Sequence, residues 1–325
     1  MIANNFLKLL NINNSRTISY ILIKKVMWLA SGVPRRLMRA FAFPLAAVWY
    51  LFDHYHRKIA IDNVMKAYGD RLSRRECRKL VRANFFHLMT VALELPSLLR
   101  LRKDNVDSYV EISGEQHLRS ALSRGRGVLF LTAHLGNWEL MALAPGLKYD
   151  FSVYVMVRPL DYAPMDNVLT EIRSRTGNIV LDKDKSAGAV RELLKQNQII
   201  GILMDQNSSW YEGVYVPFFG RVACTNKGPA MFALRYGATV VPAFNFRLKN
   251  GKYRITFCPP VDPIRTGNVS RDIVETTALF NRIIEAHIKM APDNWLWIHR
   301  RWRIKDIPQS ARKKIKGNML SGLSL

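Results

Sequence analysis

The chain has 325 residues, enough for one large domain or two ordinary ones with a sizeable core. Hydrophobic residues make up 49% and charged residues 23%, a balance that excludes disorder as the main state. Lysine and arginine number 49 against 25 aspartate and glutamate, so the formal net charge is +24. Such an excess favours a polyanionic partner, either nucleic acid or an anionic membrane surface. The three cysteines, Cys77, Cys224 and Cys258, form no C-x-x-C pair, which argues against a disulfide framework or a zinc site and favours a reducing, cytosol-facing location.

The first 52 residues combine apolar and aromatic side chains with scattered bases. The apolar runs at residues 21–30 and 40–52 are each shorter than the ~20 residues of a straight membrane span, and Lys24 and Pro44 interrupt them. No small-x-small site follows, so we do not expect a cleaved signal peptide. Bases beside tryptophan and tyrosine are typical of the headgroup region of a bilayer. We therefore expect residues 1–52 to anchor the chain at a membrane surface, with a single tilted span as a variant and a buried helical pair as the alternative.

The rest of the chain divides into a helical region and a region in which predicted strands and helices alternate. Apolar residues recur at near-helical spacing over residues 57–99, which predicts a basic helical region over residues 53–110. Short apolar runs then alternate with helical stretches, which predicts an α/β domain over residues 111–307, with a central, largely parallel sheet flanked by helices. The predicted strands cover residues 127–132, 151–157, 199–204, 239–246 and 253–258. The predicted helices between them cover residues 139–147, 165–175, 187–195 and 229–236. The basic, Ser- and Gly-rich residues 308–325 are expected to form a flexible tail.

Ligands of such sheets bind beyond the carboxyl ends of the strands, so the loops there are the places to search. The sequence has no G-x-G-x-x-G after a strand, no Walker loop, no G-x-S-x-G and no H-E-x-x-H. The first strand of the α/β pattern runs instead into the segment TAHLGNWE, residues 132–139. This segment is the candidate site.

Two side chains of the segment suit acid–base chemistry. His134 and Glu139 are five residues apart, so on a continuous helix they would diverge by ~140° around the axis. A turn at Gly136, with Asn137 as N-cap, would leave Glu139 in the first helical turn and let it fold back toward His134. A carboxylate on one ring nitrogen leaves the other as a general base. The alternative is a structural histidine beside a glutamate that only favours the positive end of a helix dipole.

At this point the sequence resembles a known family. HLGNWE resembles the His-x4-Asp/Glu motif of the glycerolipid and lipid A acyltransferases, and the wider pattern resembles the late, or secondary, lipid A acyltransferases. The matching pieces, which follow the family's order from about residue 16 to 303, are RKIAIDNVMKAYGD, GVLFLTAHLGNWEL, VRPLD, an Arg-x-x-x-Gly at residues 173–177, MDQN, VPFFGRVACTNKGPAMFALRYGATVVPAF and MAPDNWLWIHRRWR.

The resemblance implies a fold like that of the glycerolipid acyltransferases and a defined reaction. An acyl chain would move from an acyl-carrier-protein thioester to a hydroxyl of a lipid A precursor, at the cytoplasmic face of the bacterial inner membrane. His134 would be the base and Glu139 would orient and polarise it. Arg173 and Asp205 match two further positions that the family treats as functional. No cofactor, no metal and no enzyme-bound acyl group are expected.

Other residues keep two interpretations. Arg158, in VRPLD, ends the second strand, where it could grip a phosphate. Asp205 and Gln206 end another strand and either bind substrate or cap a turn. The segment at residues 295–303, WLWIHRRWR, could stack on nucleic acid, but its tryptophans are expected in the core.

Two function classes and one variant remain open. The ordered motifs support the acyltransferase interpretation. Only the net charge supports a basic nucleic-acid-binding protein, and the sequence has no nucleic-acid-binding motif, so we do not expect nucleic acid as a partner. A related acyltransferase, acting on another glycolipid or a lysophospholipid, is the alternative within the enzyme class, and coenzyme A thioesters are its alternative donor. The expected partners are therefore acyl carrier protein, a lipid A precursor or related glycolipid, and an anionic membrane surface.

Overall fold

The computed structural model describes residues 17–183 and 186–303, and the predicted tail at 308–325 lies outside them. Four helices come first: α1 over residues 17–30, α2 (Arg35–Phe52), α3 (His54–Tyr68) and α4 (Arg74–Glu94). A capping box starts α4, because the Ser73 hydroxyl accepts from the Glu76 N–H while the Glu76 carboxylate accepts from the Ser73 N–H. The buried face of α4, including Val81 and Phe85, packs against α2, α3 and the sheet, so the basic helical region and the α/β part share one core.

The helices α1 and α2 leave an apolar face uncovered. Their exposed large apolar side chains are Ile18, Ile21, Leu22, Val26, Trp28, Leu29, Leu37, Phe41, Phe43, Leu45, Val48, Leu51 and Phe52. A concentration of this kind marks an interaction surface rather than ordinary scatter. Across the described ranges, no helix has both the length and the apolar character needed to cross a membrane. The membrane anchor therefore stays a prediction, with this face as the candidate contact.

The remainder of the chain alternates strands and helices. In chain order the elements are β1 (Val110–Ser113), α5 (Glu115–Ser123), β2 (Val128–Thr132), α6 (Trp138–Tyr149), β3 (Val153–Val157), α7 (Ala163–Ser174), β4 (Ile179–Asp182), α8 (Ala187–Lys195), β5 (Ile199–Leu203), β6 (Gly213–Phe218), β7 (Arg221–Asn226), α9 (Gly228–Tyr236), β8 (Thr239–Arg247), β9 (Tyr253–Phe257) and α10 (Val269–Met290). Short 3₁₀ segments cover Leu95–Arg100, Val106–Ser108 and Pro292–Asn294.

Seven of these strands form one sheet in the order β1-β9-β8-β2-β5-β3-β4. Its pairs are parallel except for β8 with β9, so the expected largely parallel sheet flanked by helices is confirmed. The central strand β2 is buried over its whole length, as expected for a strand covered on both faces. Separate apolar clusters fill the two sides of the sheet, one beneath α3, α4 and α10 and the other beneath α5, α6 and α7.

The predicted strands and helices agree with the observed ones to within about two residues at most ends, and the α8 bounds coincide. The sequence interpretation missed the short strands β1 and β4, the β6–β7 hairpin, and the helices α5 and α10. The hairpin turns through Phe219 and Gly220, which both have positive φ. Phenylalanine rarely adopts that conformation, so this turn lacks the Asn-Gly or Asp-Gly signal that identifies most two-residue hairpins.

Candidate active site

The candidate site lies where two neighbouring parallel strands end. β2 and β5 pair with Thr132 opposite Leu203, and His134 and Asp205 each follow two residues beyond these positions. Because parallel strands end at the same edge of the sheet, the register itself brings the histidine and the aspartate together. β8 lies on the other side of β2 and contributes Asn245 from the same edge.

The His134 ring is held on one side by the Asp205 carboxylate. Nδ1 of His134 lies 2.9 Å from Oδ1 of Asp205, and the His134 backbone N–H donates to Oδ2 at 3.0 Å. The Trp295 indole N–H donates to the same Oδ2 at 2.7 Å. An ionised carboxylate can only accept, so Nδ1 carries a proton and Nε2 presents a lone pair in the neutral ring. Nε2 faces the Gln206 amide nitrogen at 3.4 Å, a long contact that leaves this nitrogen open to a substrate proton.

Asp205 is only 1% exposed, yet it stays ionised. Burial on its own would raise the pKa of this carboxyl, but the charge and ring hydrogen bond of His134, together with hydrogen bonds from Trp295 and the His134 backbone, outweigh burial and lower the pKa below its ordinary value. The His134 side chain keeps 19% of its surface exposed. A buried, ionised acceptor behind a partly exposed imidazole is the arrangement that orients a general base.

Main-chain hydrogen bonds fix the turn between His134 and α6. Asn137 is the N-cap, as predicted, and its side chain accepts from the Leu140 N–H at 3.0 Å. The Asn245 side-chain amide accepts from the Asn137 N–H at 2.8 Å and donates to the Asn137 carbonyl at 2.7 Å. It thus makes the two hydrogen bonds that the main chain of a neighbouring strand would otherwise make with Asn137. Gly136 has φ +66°, and a Cβ there would lie 1.6 Å from Oδ1 of Asn245. No side chain larger than hydrogen fits at this position.

The Glu139 carboxylate has a different partner from the one expected. It accepts two hydrogen bonds from Arg173, from Nε at 2.8 Å and from Nη2 at 2.6 Å, which is the bidentate geometry of a strong ion pair. Both side chains are about nine-tenths buried, at 10% and 12% exposure. Burial alone would lower the pKa of Arg173, but the Glu139 hydrogen bonds and charge raise it above its usual value. The pair joins the first turn of α6 to the last turn of α7.

A model of the bacterial lipid A biosynthesis acyltransferases matches residues 8–304. The chain belongs to this family. It is 28% identical to the lipid A biosynthesis lauroyltransferase of Escherichia coli (strain K12), over 86% of this chain and 90% of that one. It is 24% identical to the lipid A biosynthesis palmitoleoyltransferase of the same strain, over 88% and 91%, and 25% identical to the phosphatidylinositol mannoside acyltransferase of Mycolicibacterium smegmatis, over 72% and 74%. The resemblance predicted from the motifs is confirmed, and the chain is an acyltransferase.

In this acyltransferase the structure gathers five of the six predicted site residues into two neighbouring groups. His134, Asp205 and Gln206 form one group, and Glu139 with Arg173 forms the other. The expected return of Glu139 to the His134 ring is replaced by the Arg173 pair, because Asp205 already occupies the Nδ1 side. Catalytic roles for these residues remain predictions.

The sixth predicted residue, Arg158, lies apart from both groups. It follows β3, two strands away from β2, with a side chain that is 74% exposed and ion-paired to Asp161 at 3.2 Å. This position is open to solvent at the site edge of the sheet, so a role in gripping phosphate stays a prediction.

Sequence reasoning missed several residues that build the site. Trp295 and Trp297 are buried, as predicted for the core, but the Trp295 indole also contacts Asp205. His87 lies fully buried with Nε2 3.2 Å from the Gly136 carbonyl. On the same face of α4, Asn84 donates to the Trp295 carbonyl at 2.5 Å. Helical spacing puts positions 84 and 87 on one face, but nothing in their own sequence identifies what that face contacts.

A metal site is a separate question. Among residues 17–183 and 186–303, no three His, Cys, Asp or Glu side chains lie close enough together to hold an ion. The expected lack of a metal stays a prediction.

Proposed function

We propose that this chain moves a fatty acyl group from an acyl-carrier-protein thioester to a hydroxyl of a lipid A precursor. Family membership and the names of two relatives, the lauroyl- and palmitoleoyltransferases, support this reaction and this acceptor. The observation that carries the mechanism is the His134 ring, with Nδ1 held by buried Asp205 and Nε2 left free of a short contact.

In the proposed mechanism, Nε2 of His134 takes the proton of the acceptor hydroxyl as that oxygen attacks the thioester carbonyl carbon. The tetrahedral intermediate then collapses, the carbon–sulfur bond breaks, and the imidazolium returns the proton to the departing thiolate. Asp205 keeps the proton on Nδ1 and stabilises the imidazolium that forms between the two steps. The acyl group passes directly from donor to acceptor, so no acyl-enzyme is required.

Glu139 acts through Arg173 in this proposal. Two guanidinium nitrogens of Arg173 are used on Glu139, and Nη1 is available for an anionic group of a substrate or for the oxyanion of the intermediate. A buried guanidinium held in one orientation loses little entropy on binding such a group. Glu139 is therefore a positioning residue for Arg173 rather than the partner of the base.

We place the enzyme at the cytoplasmic face of the bacterial inner membrane. The exposed apolar face of α1 and α2 supports contact with a bilayer interface, since aromatic and aliphatic side chains there lie beside Arg36 and Lys25. Partition of the purified chain onto neutral phosphatidylcholine vesicles measures this contact. A chain that stays in solution with such vesicles would contradict it.

Another glycolipid is the second candidate acceptor. The similarity to the phosphatidylinositol mannoside acyltransferase, over 72% of this chain, favours an enzyme of this type that acts on a phosphorylated sugar lipid without being restricted to lipid A precursors. Presenting both acceptors to the purified enzyme with one acyl-carrier-protein donor, and weighing the products by mass spectrometry, separates the two candidates.

The test of the mechanism is His134→Ala with His117→Ala as the matched control. His117 lies on α5, and its Ala variant removes an imidazole of the same size away from the strand ends. We expect transfer by His134→Ala to fall by at least about a hundredfold, since a positioned base contributes roughly 10²–10⁴, while the control keeps wild-type activity. A His134→Ala enzyme with substantial activity would remove His134 from the mechanism.

A further inference from the structure

A basic groove runs between α3 and the first half of α4. Two adjoining cavities of about 490 and 890 Å³ share Arg78 and Arg82 in their walls. This groove is called here the α3–α4 groove. Its lysine and arginine residues are Arg57, Lys58, Arg74, Arg75, Arg78, Lys79 and Arg82, and all except the half-buried Arg57 are exposed.

The groove carries positive charge that the protein does not neutralise. Within the described residues, none of its seven bases lies within ion-pair distance of a carboxylate. Its walls contain two acidic side chains, Asp62 and Glu76, and Glu76 is engaged by Ser73 in the capping box of α4. Seven bases against two acids, concentrated on one concave surface, are arranged for a multiply charged anion.

One end of the groove meets the exposed apolar face. Arg82 and Arg57 lie over the Tyr50 ring, at 5.5 and 5.3 Å from its centre, so the last turn of α2 forms the groove wall. That same turn exposes Leu51 and Phe52. Guanidinium groups beside exposed aliphatic and aromatic side chains suit a ligand with an anionic head and apolar chains, whereas a soluble acidic partner needs no such neighbour.

We propose that the α3–α4 groove binds the phosphate groups of an anionic lipid at the membrane interface. The inference rests on the proposed function, because the proposed acceptor is itself a phosphorylated lipid. The phosphates have two possible sources, the glycolipid acceptor and the anionic phospholipids of the bilayer. Arginine fits both, since its planar fork donates to two phosphate oxygens at once.

The groove is connected to the site by α4. Arg82 is two residues from Asn84 and five from His87, which contact the Trp295 and Gly136 carbonyls of the site. With a rise of about 1.5 Å per residue, Arg82 lies roughly 7–8 Å along the helix from His87. The five residues also turn the helix by ~140°, so Arg82 lies on the exposed side of α4 and His87 on its buried side, and α4 is the element that the groove and the site share.

The experiment compares Arg78→Glu/Arg82→Glu with the control Arg124→Glu/Arg126→Glu. Arg124 and Arg126 are also exposed, and they precede β2 at the opposite edge of the sheet. Binding is measured by sedimentation with phosphatidylcholine vesicles, with and without phosphatidylglycerol. We expect the groove variant to bind the anionic vesicles at least about tenfold more weakly than the control, and both to bind neutral vesicles equally. Arg78→Gln/Arg82→Gln, which removes charge without reversing it, should give a smaller loss in the same direction.

Kinetics in neutral detergent micelles identify the source of the phosphate. A raised KM for the acceptor in the groove variant assigns the groove to the acceptor, and an unchanged KM with weaker vesicle binding assigns it to bilayer phospholipid. A groove variant with wild-type vesicle binding and a wild-type acceptor KM overturns the inference. A KM raised only for the acyl-carrier-protein donor also overturns it, because it would assign the groove to that acidic protein. Vesicle binding needs no catalysis, so its result stands even if the wild-type enzyme uses another acceptor.

Discussion

Replacing Asp205 with asparagine tests the site at its most informative contact. Oδ2 of Asp205 accepts from the His134 backbone and from the Trp295 indole, while Oδ1 faces Nδ1 of His134. Asparagine has the same shape, and its carbonyl oxygen can keep the first two hydrogen bonds. Its NH₂ group would then face Nδ1 and require a lone pair there. The ring proton moves to Nε2, and the atom that should accept the substrate proton is no longer a base.

The size of the effect follows from two contributions. A hydrogen bond to a charged group is worth about 1.5–3 kcal/mol, so loss of the Asp205 charge from behind an imidazolium lowers kcat roughly 10- to 150-fold. The tautomer change adds to this, and the same substitution in the Ser-His-Asp triad lowers kcat by roughly 10⁴. We therefore expect Asp205→Asn to lower kcat between about tenfold and 10⁴-fold. The KM of the acceptor should change little.

The assay is steady-state transfer over a range of pH, with Asp104→Asn as the matched control. Asp104 is 70% exposed and forms an ion pair with Arg102 at 3.4 Å. Loss of kcat in Asp205→Asn, with a shifted or flattened acidic limb of the pH profile, supports an orienting role that a purely structural carboxylate would not produce. An Asp205→Asn enzyme with wild-type kcat and an unchanged profile would refute the tautomer argument.

Two further predictions concern buried charge. Glu139→Gln leaves the Arg173 guanidinium buried with one neutral acceptor, so we expect the free energy of unfolding to fall by about 1–3 kcal/mol and the acyl-transfer rate to fall. Adding Arg173→Met should restore the stability measured in urea titrations but not the activity. Burial, helped by the Arg247 charge, lowers the pKa of His87 to about 3, from an ordinary 6.5. Below about pH 6.5 the unfolded chain therefore takes up a proton at His87 that the folded chain does not. Between pH 7 and pH 5, we expect the free energy of unfolding to fall by about 2 kcal/mol more in wild type than in His87→Gln. Equal losses for the two proteins in urea titrations would contradict this prediction.

Several strands were predictable because most of their residues are apolar. β5 and β8 are buried over most of their length, and apart from Asn245 their buried positions hold apolar or small side chains, which the sequence alone shows. The edge strands β1 and β4 gave no comparable signal. β1 has Glu111 and Ser113 among its four residues, since an edge strand keeps one side toward solvent.

The long helix α10 could have been predicted and was missed. Asn268 is a favourable N-cap, and its side chain accepts from the Arg271 N–H as the pattern requires. Phe280, Ile284 and Ile288 follow on its buried face at i, i+4 spacing. The signal was present in the sequence, so this omission does not reflect a physical limit.

The site was predictable only where its contacts are local. The cap at Asn137 depends on three residues of one turn, and the sequence was sufficient for it. The Asp205–His134 contact depends on β5 being the neighbour of β2, although the two strands are far apart in the chain. Strand order is set by the packing of the whole sheet, so a single sequence does not specify which distant strand end faces the histidine. Trp295 enters from the C-terminal segment for the same reason.

Arg173 and Asp205, the two further positions that the family resemblance marks, contact different residues of the His-x4-Glu motif. Each is the partner of one motif residue: Asp205 holds His134, and Arg173 holds Glu139. If the pairs act as separate units, Asp205→Asn should cost little more activity once His134 is already alanine, because its effect passes through the missing ring. Adding Glu139→Gln to His134→Ala should instead lower the residual activity further, since Arg173 would still serve the substrate. Measured in one double-mutant cycle for each pair, equal coupling of His134 to both carboxylates would mean that a single network connects the motif, as the five-residue spacing first suggested.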